Sequence, residues 1–248
     1  MSHGSGAHDG HDSVTLATMD VRFVDCREWD AYVAGHIPGA AHADPESQLA
    51  GDEGGGRHPL PAAHDFARWA MGAGIGSGTL VVAYDEGTGW ASRLWWLLRH
   101  YGHEETGVIR LDAWQGPLRP GWEEIAAAEF VARSRTDDTA TAEELLERLG
   151  DPGLLLLDAR APERFRGEVE PIDEVAGRIP GAQNLFFEHA APVPDEWLKA
   201  DGIVVYCGSG VTACVDLLAL ALAGRPDARL YPGSWSEWSS RELPLERD

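Results

Sequence analysis

Short runs of apolar and β-branched residues alternate along the chain with longer helical patterns, and this arrangement occurs twice. Residues 22–27 (RFVDCR) match residues 155–160 (LLLDAR), since each is an apolar strand that ends in Asp-x-Arg. Residues 35–40 (GHIPGA) likewise match residues 177–182 (GRIPGA). Short strands that alternate with helices are typical of a parallel sheet covered on both faces. The pattern therefore predicts an α/β protein of two tandem domains, each a parallel sheet with helices on both faces.

The repeat also predicts where each domain begins and ends. Residues 13–122 form the first predicted domain and residues 139–248 the second, with residues 123–138, which carry no sheet pattern, as the linker. Residues 1–12 are rich in Gly, His, Ser and Asp and are predicted to be a disordered tail. This segment has neither the basic region nor the apolar core of a signal peptide.

The excess of acidic residues disfavours negatively charged binding partners. Twenty basic residues against 41 acidic ones give a formal net charge of −21, which repels nucleic acid and anionic membrane surfaces. No apolar run approaches the roughly 20 residues that cross a bilayer. Three cysteines form no metal-ligand or disulfide framework, and an odd number suits a reducing compartment. We therefore expect a cytoplasmic protein that binds neither nucleic acid nor membrane.

One predicted strand ends in a loop that contains a potentially reactive cysteine. The apolar run 203–206 stops at Cys207, glycines follow at 208 and 210, and the Leu/Ala-rich run 214–222 predicts a helix. The order strand, tight loop, helix places the Cys207 sulfur at a helix N-terminus, where backbone N–H groups and the helix dipole favour an anion. A thiolate is the nucleophilic form of cysteine, so Cys207 is a candidate nucleophile. The first copy carries Asp85 at the matching position, and a carboxylate cannot carry sulfur, so the first domain is predicted to be non-catalytic.

Three other interpretations of this loop compete with that of a nucleophile. A buried, inert cysteine is the usual fate of a free thiol, but two flanking glycines at a strand-to-helix turn argue against it. The glycine spacing fits a loose dinucleotide fingerprint, yet only 35 residues follow Ala213 and the required acid is missing. A cysteine phosphatase loop needs an arginine at position 213, which is alanine.

The loop sequence CGSGVTAC resembles the active-site loop of the rhodanese family, specifically its 3-mercaptopyruvate sulfurtransferase branch. Residues 233–238 (GSWSEW), 158–160 (DAR) and 35–40 (GHIPGA) resemble further motifs of that family. The resemblance covers about residues 14–240 and implies a Cys207 persulfide as the intermediate, with no metal or organic cofactor. It implies that the loop cradles the transferred sulfur with its N–H groups, here those of Gly208, Gly210, Val211 and Thr212.

The resemblance also implies roles for residues outside the cysteine loop. Ser209 is expected in a Ser-His-Asp arrangement with His36, and Asp25 is the expected acid, with Asp30 as the alternative. Two arginines near residues 160–166 are expected to hold the donor carboxylate, because a guanidinium binds a carboxylate bidentately. Arg160 and Arg166 match best, whereas Arg164 is equally compatible with surface ion pairs.

The expected reaction moves sulfur from a small anionic donor to a thiol acceptor such as thioredoxin, or to cyanide. Gly208 and Ser209 stand where the thiosulfate branch usually carries Arg-Lys, which favours 3-mercaptopyruvate as the donor. The alternative that the protein is a thiosulfate:cyanide sulfurtransferase with the same persulfide stays open. The relative catalytic efficiency on the two donors distinguishes these two activities. The alternative of a non-catalytic binding or sulfur-carrier module also stays open, and the observation of turnover would exclude it.

Overall fold

The computed structural model describes residues 20–248 and contains two four-stranded sheets of the same topology. The predicted tail at residues 1–12 lies outside the described residues. In the first domain, strand β1 (Asp20–Asp25) pairs with β2 (Ala41–His42) and β3 (Thr79–Asp85), and β3 pairs with β4 (Thr106–Arg110), all in parallel. The helices are α1 (Trp29–Ala34), α2 (Ala63–Gly72) and α3 (Trp90–His100).

The second sheet repeats this arrangement. Strand β5 (Leu154–Asp158) pairs with β6 (Gln183–Asn184) and β7 (Gly202–Tyr206), and β7 pairs with β8 (Arg229–Leu230), again in parallel. Its helices are α4 (Ala142–Glu147), α5 (Pro162–Phe165), α6 (Ala213–Leu222) and α7 (Ser234–Ser240). Short 3-10 turns lie at Leu111–Ala113, Phe187–His189 and Trp197–Lys199. The predicted α/β fold of two tandem domains with parallel sheets flanked by helices is confirmed.

The two domains pack through a common apolar cluster, which runs from Val24 in β1 to Leu230 in β8, while a smaller cluster lies within each domain. Helices α3 and α6, which follow the matching strands β3 and β7, pack against each other across the interface. Each of these helices begins directly after the loop that ends the central strand of its own sheet. The packing therefore brings the two loops together, and a Cβ placed on Gly89 of the first loop would lie 3.3 Å from Thr212 of the second.

The segment between the domains contains no helix or strand from residue 114 to residue 138, but it lies along the first domain. The N–H of Ala128 donates to Met71, and the N–H groups of Arg133 and Arg135 donate to Tyr101 and His100. The domain limits at residues 122 and 139 stay predictions. Within residues 20–248, no helix combines the length and the apolarity that crossing a bilayer requires.

Candidate active site

The Cys207 sulfur lies at the N-terminal end of α6, as the order strand, loop, helix predicts. Strand β7 ends at Tyr206, and the side chain of Cys207 is 1% exposed. The Gly210 N–H donates to Cys207 Sγ over 3.1 Å. Gly210 has a φ of +83°, a conformation that a residue with a side chain rarely adopts, and the space that a Cβ would fill is taken by the Pro232 carbonyl at 2.7 Å. The loop thus holds an N–H donor against the sulfur, which favours a thiolate.

The other loop residues that we predicted to cradle sulfur, Gly208, Val211 and Thr212, lie around the same turn. Among the hydrogen bonds of the described residues, the Cys207 sulfur accepts from Gly210, and no other residue donates to it. Thr212 immediately precedes α6, whose first turn begins at Ala213. A role for these three residues toward a bound sulfur stays a prediction.

The base of the loop is fixed by the segment that opens α7. Ser234 Oγ accepts from the Cys207 N–H at 3.1 Å and donates to the Tyr231 carbonyl at 3.0 Å. The N–H groups of Trp235 and Ser236 donate to the carbonyls of Cys207 and Gly208 at 2.9 and 3.0 Å. Residues 233–238 therefore act as a backbone clamp that positions the nucleophile.

A loop of the first domain covers the cysteine loop. The glycines at 54–56 approach the second domain so closely that a Cβ on Gly56 would lie 2.5 Å from the Gly233 carbonyl. Just beyond them, the Arg57 N–H donates to Ser236 Oγ at 3.1 Å. His58 then places its Nδ1 2.7 Å from Ser209 Oγ.

His58 is the histidine that contacts the cysteine loop. Its Nε2 lies 3.3 Å from Glu46 Oε1, so that Ser209, His58 and Glu46 form a chain of polar contacts beside Cys207. Burial lowers the pKa of His58, and although Glu46 raises it, Arg93 and Arg57 lower it further. A neutral imidazole bonded to a hydroxyl can accept or relay a proton.

The predicted partnership of Ser209 with His36 and Asp25 is not present. His36 is fully buried with Nδ1 3.0 Å from the Tyr32 carbonyl and Nε2 3.3 Å from Glu123 Oε1, so both ring nitrogens are engaged within their own surroundings. Asp25 accepts hydrogen bonds from Arg27, at 2.6 Å in the shortest case. His36 does not reach Ser209 because the segment of the first domain that crosses the interface is 54–58. The turn at residues 35–40 does not cross it.

Arg160 is not free to bind a donor, which corrects the prediction for this residue. Its guanidinium is 2% exposed, donates to Asp158 at 2.6 Å and to the Gly177 carbonyl at 2.7 Å, and lies 3.2 Å from Glu170. Burial opposes the charged form, but Asp158 more than offsets this and raises the pKa of Arg160. In the first domain Arg27 makes the same contacts, to Asp25 at 2.6 Å and to the Gly35 carbonyl at 2.7 Å. The Asp-x-Arg motif therefore pins the Gly-x-Ile-Pro-Gly-Ala turn in both copies.

Two other arginines lie beside the cysteine loop. A Cβ on Gly208 would lie 2.9 Å from Arg57 Nη2 and 3.5 Å from Arg164 Nη2. Arg164 is paired with Glu170 at 2.6 Å, and Arg57 is paired with Asp173. Arg166, which we predicted as a substrate residue, is instead paired with Glu168 on the surface at 2.7 Å, with 38% of its side chain exposed.

The matching loop of the first domain confirms that a carboxylate occupies the place of the sulfur. Asp85 accepts from the N–H groups of Gly87, Gly89 and Ala91 at 2.8, 2.9 and 3.1 Å and from Thr88 Oγ1 at 3.0 Å. The donors lie in the loop before α3 and in the first turn of that helix, so the Asp85 carboxylate occupies the N-terminus of α3.

His58 and Arg57 are not among the residues predicted above, although the sequence around them contains a signal. Three glycines precede them in the order Gly-Gly-Gly-Arg-His-Pro, and glycines in such number indicate a backbone that approaches another backbone closely. A histidine and an arginine at the end of such a segment were candidates for a site at a domain interface.

Comparisons with known proteins agree with this architecture. The family model described as a rhodanese-like domain matches residues 13–113 and again residues 141–241, and the chain belongs to the rhodanese family. It is 42% identical over 258 residues to a probable 3-mercaptopyruvate sulfurtransferase of Pseudomonas aeruginosa, covering 90% of each chain. It is 38% identical to a putative thiosulfate sulfurtransferase, SseB, of Mycobacterium tuberculosis, over 95% of this chain and 91% of that protein.

A solved relative shares the two-domain fold. The crystal structure of the 3-mercaptopyruvate sulfotransferase SseA from Escherichia coli superposes with a TM-score of 0.74 and 30% identity, covering 91% of this chain and 96% of that one. The names of these relatives include both 3-mercaptopyruvate and thiosulfate as donors.

Proposed function

We propose that this protein is a sulfurtransferase that moves a sulfur atom from 3-mercaptopyruvate, through a Cys207 persulfide, to a thiol acceptor or cyanide. The observation that carries the proposal is the Cys207 sulfur held at the start of α6 by the Gly210 N–H at 3.1 Å. This is a site for an anionic sulfur nucleophile. The 42% identity to the Pseudomonas aeruginosa relative, across 90% of both chains, supports the choice of donor.

In the proposed reaction the Cys207 thiolate attacks the sulfur of the donor. A sulfur–sulfur bond forms, the carbon–sulfur bond of the donor breaks, and its electron pair leaves on carbon as the enolate of pyruvate, which takes up a proton. The Ser209 hydroxyl, which belongs to the loop and lies 2.7 Å from His58 Nδ1, is the proposed route for this proton. The persulfide that remains is held by loop N–H groups until an acceptor thiol or cyanide removes its outer sulfur.

We propose that Arg57 and Arg164 hold the donor carboxylate, in place of Arg160 and Arg166. Their guanidinium groups lie beside Gly208, the residue that follows the nucleophile. They come from different domains, so a carboxylate between them would bridge the interface. Truncating a charge-assisted contact costs about 1.5–3 kcal/mol, so Arg164→Ala is expected to lose about 10- to 150-fold in kcat/KM for 3-mercaptopyruvate. Arg166→Ala is the control and is expected to stay near wild type.

We further propose a thiol acceptor such as reduced thioredoxin and a cytoplasmic location. All three cysteines are free, which agrees with a reducing compartment. The acceptor is tested by the release of sulfide from the persulfide form with and without thioredoxin and its reductase. The location is tested by fractionation of cells that produce the full chain.

The experiment for the proposed function is mass spectrometry after incubation with 3-mercaptopyruvate. The peptide that contains Cys207 is expected to gain the mass of one sulfur atom, and Cys207→Ser is expected to abolish the gain. Cys26→Ser is the control and is expected to keep it, because Cys26 is buried in the first domain. Label on Cys26 or Cys214 would contradict the site, and a persulfide that no acceptor discharges would favour a sulfur-carrier module.

Thiosulfate is the second candidate donor, because the Mycobacterium tuberculosis relative bears that name at 38% identity. The values of kcat/KM on the two donors decide between them. A strong preference for thiosulfate would overturn the choice of 3-mercaptopyruvate and leave the persulfide chemistry unchanged.

A further inference from the structure

Arg93 is a buried cation that has no role in the sulfur-transfer steps proposed above. It lies in α3 of the first domain, is 0% exposed, and is among the largest fully buried side chains. Within the described residues its nitrogen atoms donate to four backbone carbonyls, and the guanidinium also lies beside the Cys214 thiol. These carbonyls belong to Leu49 at 3.3 Å, Gly210 at 3.1 Å, His58 at 3.1 Å and Pro59 at 3.2 Å.

These four bonds join the two halves of the candidate active site. Gly210 is the residue whose N–H donates to Cys207 Sγ, and its carbonyl accepts from Arg93. His58 is the residue whose ring contacts Ser209, and its carbonyl also accepts from Arg93. One guanidinium therefore fixes the peptide at the nucleophile and the peptide at the imidazole in a single arrangement.

The charge of Arg93 has no carboxylate partner within residues 20–248, since none of the salt bridges there includes it. Burial lowers the pKa of Arg93, and the neighbouring side chains of Cys214, Cys207 and Tyr101 oppose this shift. Burial raises the pKa of Cys214 to about 12, so that this thiol keeps its proton at neutral pH. The Cys207 sulfur is then the group that can carry the opposite charge.

The other ionisable groups around this sulfur come from several elements. Helix α6 contributes Cys214 and Asp216, the second domain adds Arg164, and the first domain adds Arg57, His58 and Arg93. Burial raises the pKa of Asp216, which disfavours the carboxylate form that would oppose the charge of Arg93. Arg57 and Arg164 are each paired with an acid, whereas Arg93 is not.

We propose that Arg93 is a positioning residue for sulfur transfer, supplied by the domain that lacks the nucleophile. It holds the Gly210 peptide against the Cys207 sulfur and places an unneutralised positive charge behind the loop that carries the thiolate. The inference rests on the proposed function for its effect on turnover. It does not rest on that function for its effect on the reactivity of Cys207.

The test is the pH dependence of Cys207 alkylation by iodoacetamide, a small neutral probe, followed by mass spectrometry on the full chain. Arg93→Met keeps much of the side-chain volume and removes the charge. Its alkylation midpoint is expected to rise by about one pH unit or more, which is roughly a tenfold loss of reactive sulfur near neutral pH. Arg93→Lys keeps the charge but not the four bonds, so its midpoint is expected near wild type and its kcat on 3-mercaptopyruvate about tenfold lower.

The matched control is Arg99→Met on the same helix, because Arg99 is paired with Glu104 at 3.0 Å and only partly buried. It is expected to keep the wild-type midpoint and kcat. A folded Arg93→Met with a wild-type midpoint would overturn the proposal whatever its melting temperature, because a purely structural arginine changes stability and not the pH profile. If Arg93→Met does not fold, Arg93→Lys decides, and a wild-type kcat in that variant overturns the positioning role.

The alkylation assay uses no sulfur donor, which separates this proposal from the proposed function. A raised midpoint in Arg93→Met, together with a wild-type protein that forms no persulfide from 3-mercaptopyruvate, would support Arg93 and contradict the donor. A persulfide in the wild type, together with a wild-type midpoint in Arg93→Met, would support 3-mercaptopyruvate as the donor and contradict the role of Arg93.

Discussion

Asp216→Asn should stabilise the protein by an amount that grows with pH. Asp216 lies in α6, one helical turn from the cysteine loop, and is 0% exposed. Neither of its carboxylate oxygens has a hydrogen-bond partner within the described residues. Burial, and then the charges of Cys207 and Asp158, raise the pKa of Asp216 well above its ordinary value. A buried carboxylate without a partner is so unfavourable that the group keeps its proton instead.

The sign of the effect follows from proton linkage. The unfolded chain loses the Asp216 proton near its ordinary pKa of about 3.9, whereas the folded protein keeps it to higher pH. Between these two values the folded state binds one proton more, so its stability falls by about 1.4 kcal/mol for each pH unit. An asparagine does not titrate, and Asp216→Asn removes this slope.

The assay is urea unfolding of both proteins from about pH 4 to about pH 8 at constant ionic strength, followed by tryptophan fluorescence. The difference in stability, Asp216→Asn minus wild type, is expected to increase with pH, since contributions from distant groups cancel in the difference. Asp195→Asn makes the same charge change at an exposed position and is expected to show no slope. A difference that is constant or falls with pH would refute the argument.

Two further predictions concern Arg160 and the loop of the first domain. Arg160→Met leaves Asp158 buried without its cation and is expected to cost about 3–5 kcal/mol of unfolding free energy, measured by urea unfolding, with a far smaller change in KM than Arg164→Ala. A large rise in KM at wild-type stability would restore Arg160 as a substrate residue. Asp85→Asn replaces an acceptor with an amide before three backbone N–H groups and is expected to cost about 1–3 kcal/mol while kcat stays within about threefold of wild type. A kcat lower by orders of magnitude in the folded protein would show that the first loop takes part in catalysis.

The part of the site that the sequence predicted is the part made by local structure. Cys207, its glycines and the start of α6 are neighbours in the chain, so alternation of apolar and polar residues and the chemistry of glycine were enough to place the sulfur at a helix N-terminus. The repeat likewise predicted both sheets, because strand patterns report the face and length of each strand. Local sequence does not report which loop of one domain crosses to the other.

The contact between His58 and Ser209 joins residues 151 positions apart. It depends on the packing of α3 against α6 and on how closely the glycines at 54–56 approach the second domain. Neither is a property of a single window of sequence. His36 was the wrong histidine because its motif is a structural turn in each copy, fixed by an arginine from the adjacent strand end.

The repeat itself contained the evidence that separates structural residues from catalytic ones. Arg27 and Arg160 occupy matching positions and bond matching carbonyls, although only the second domain carries a cysteine nucleophile. A residue that both copies need cannot owe its presence to chemistry that one copy lacks. Arg164 stands four residues after Arg160, where the first copy has Ala31, and its guanidinium lies beside Gly208. The positions at which a catalytic and a non-catalytic copy differ are therefore the ones to examine first for substrate contacts.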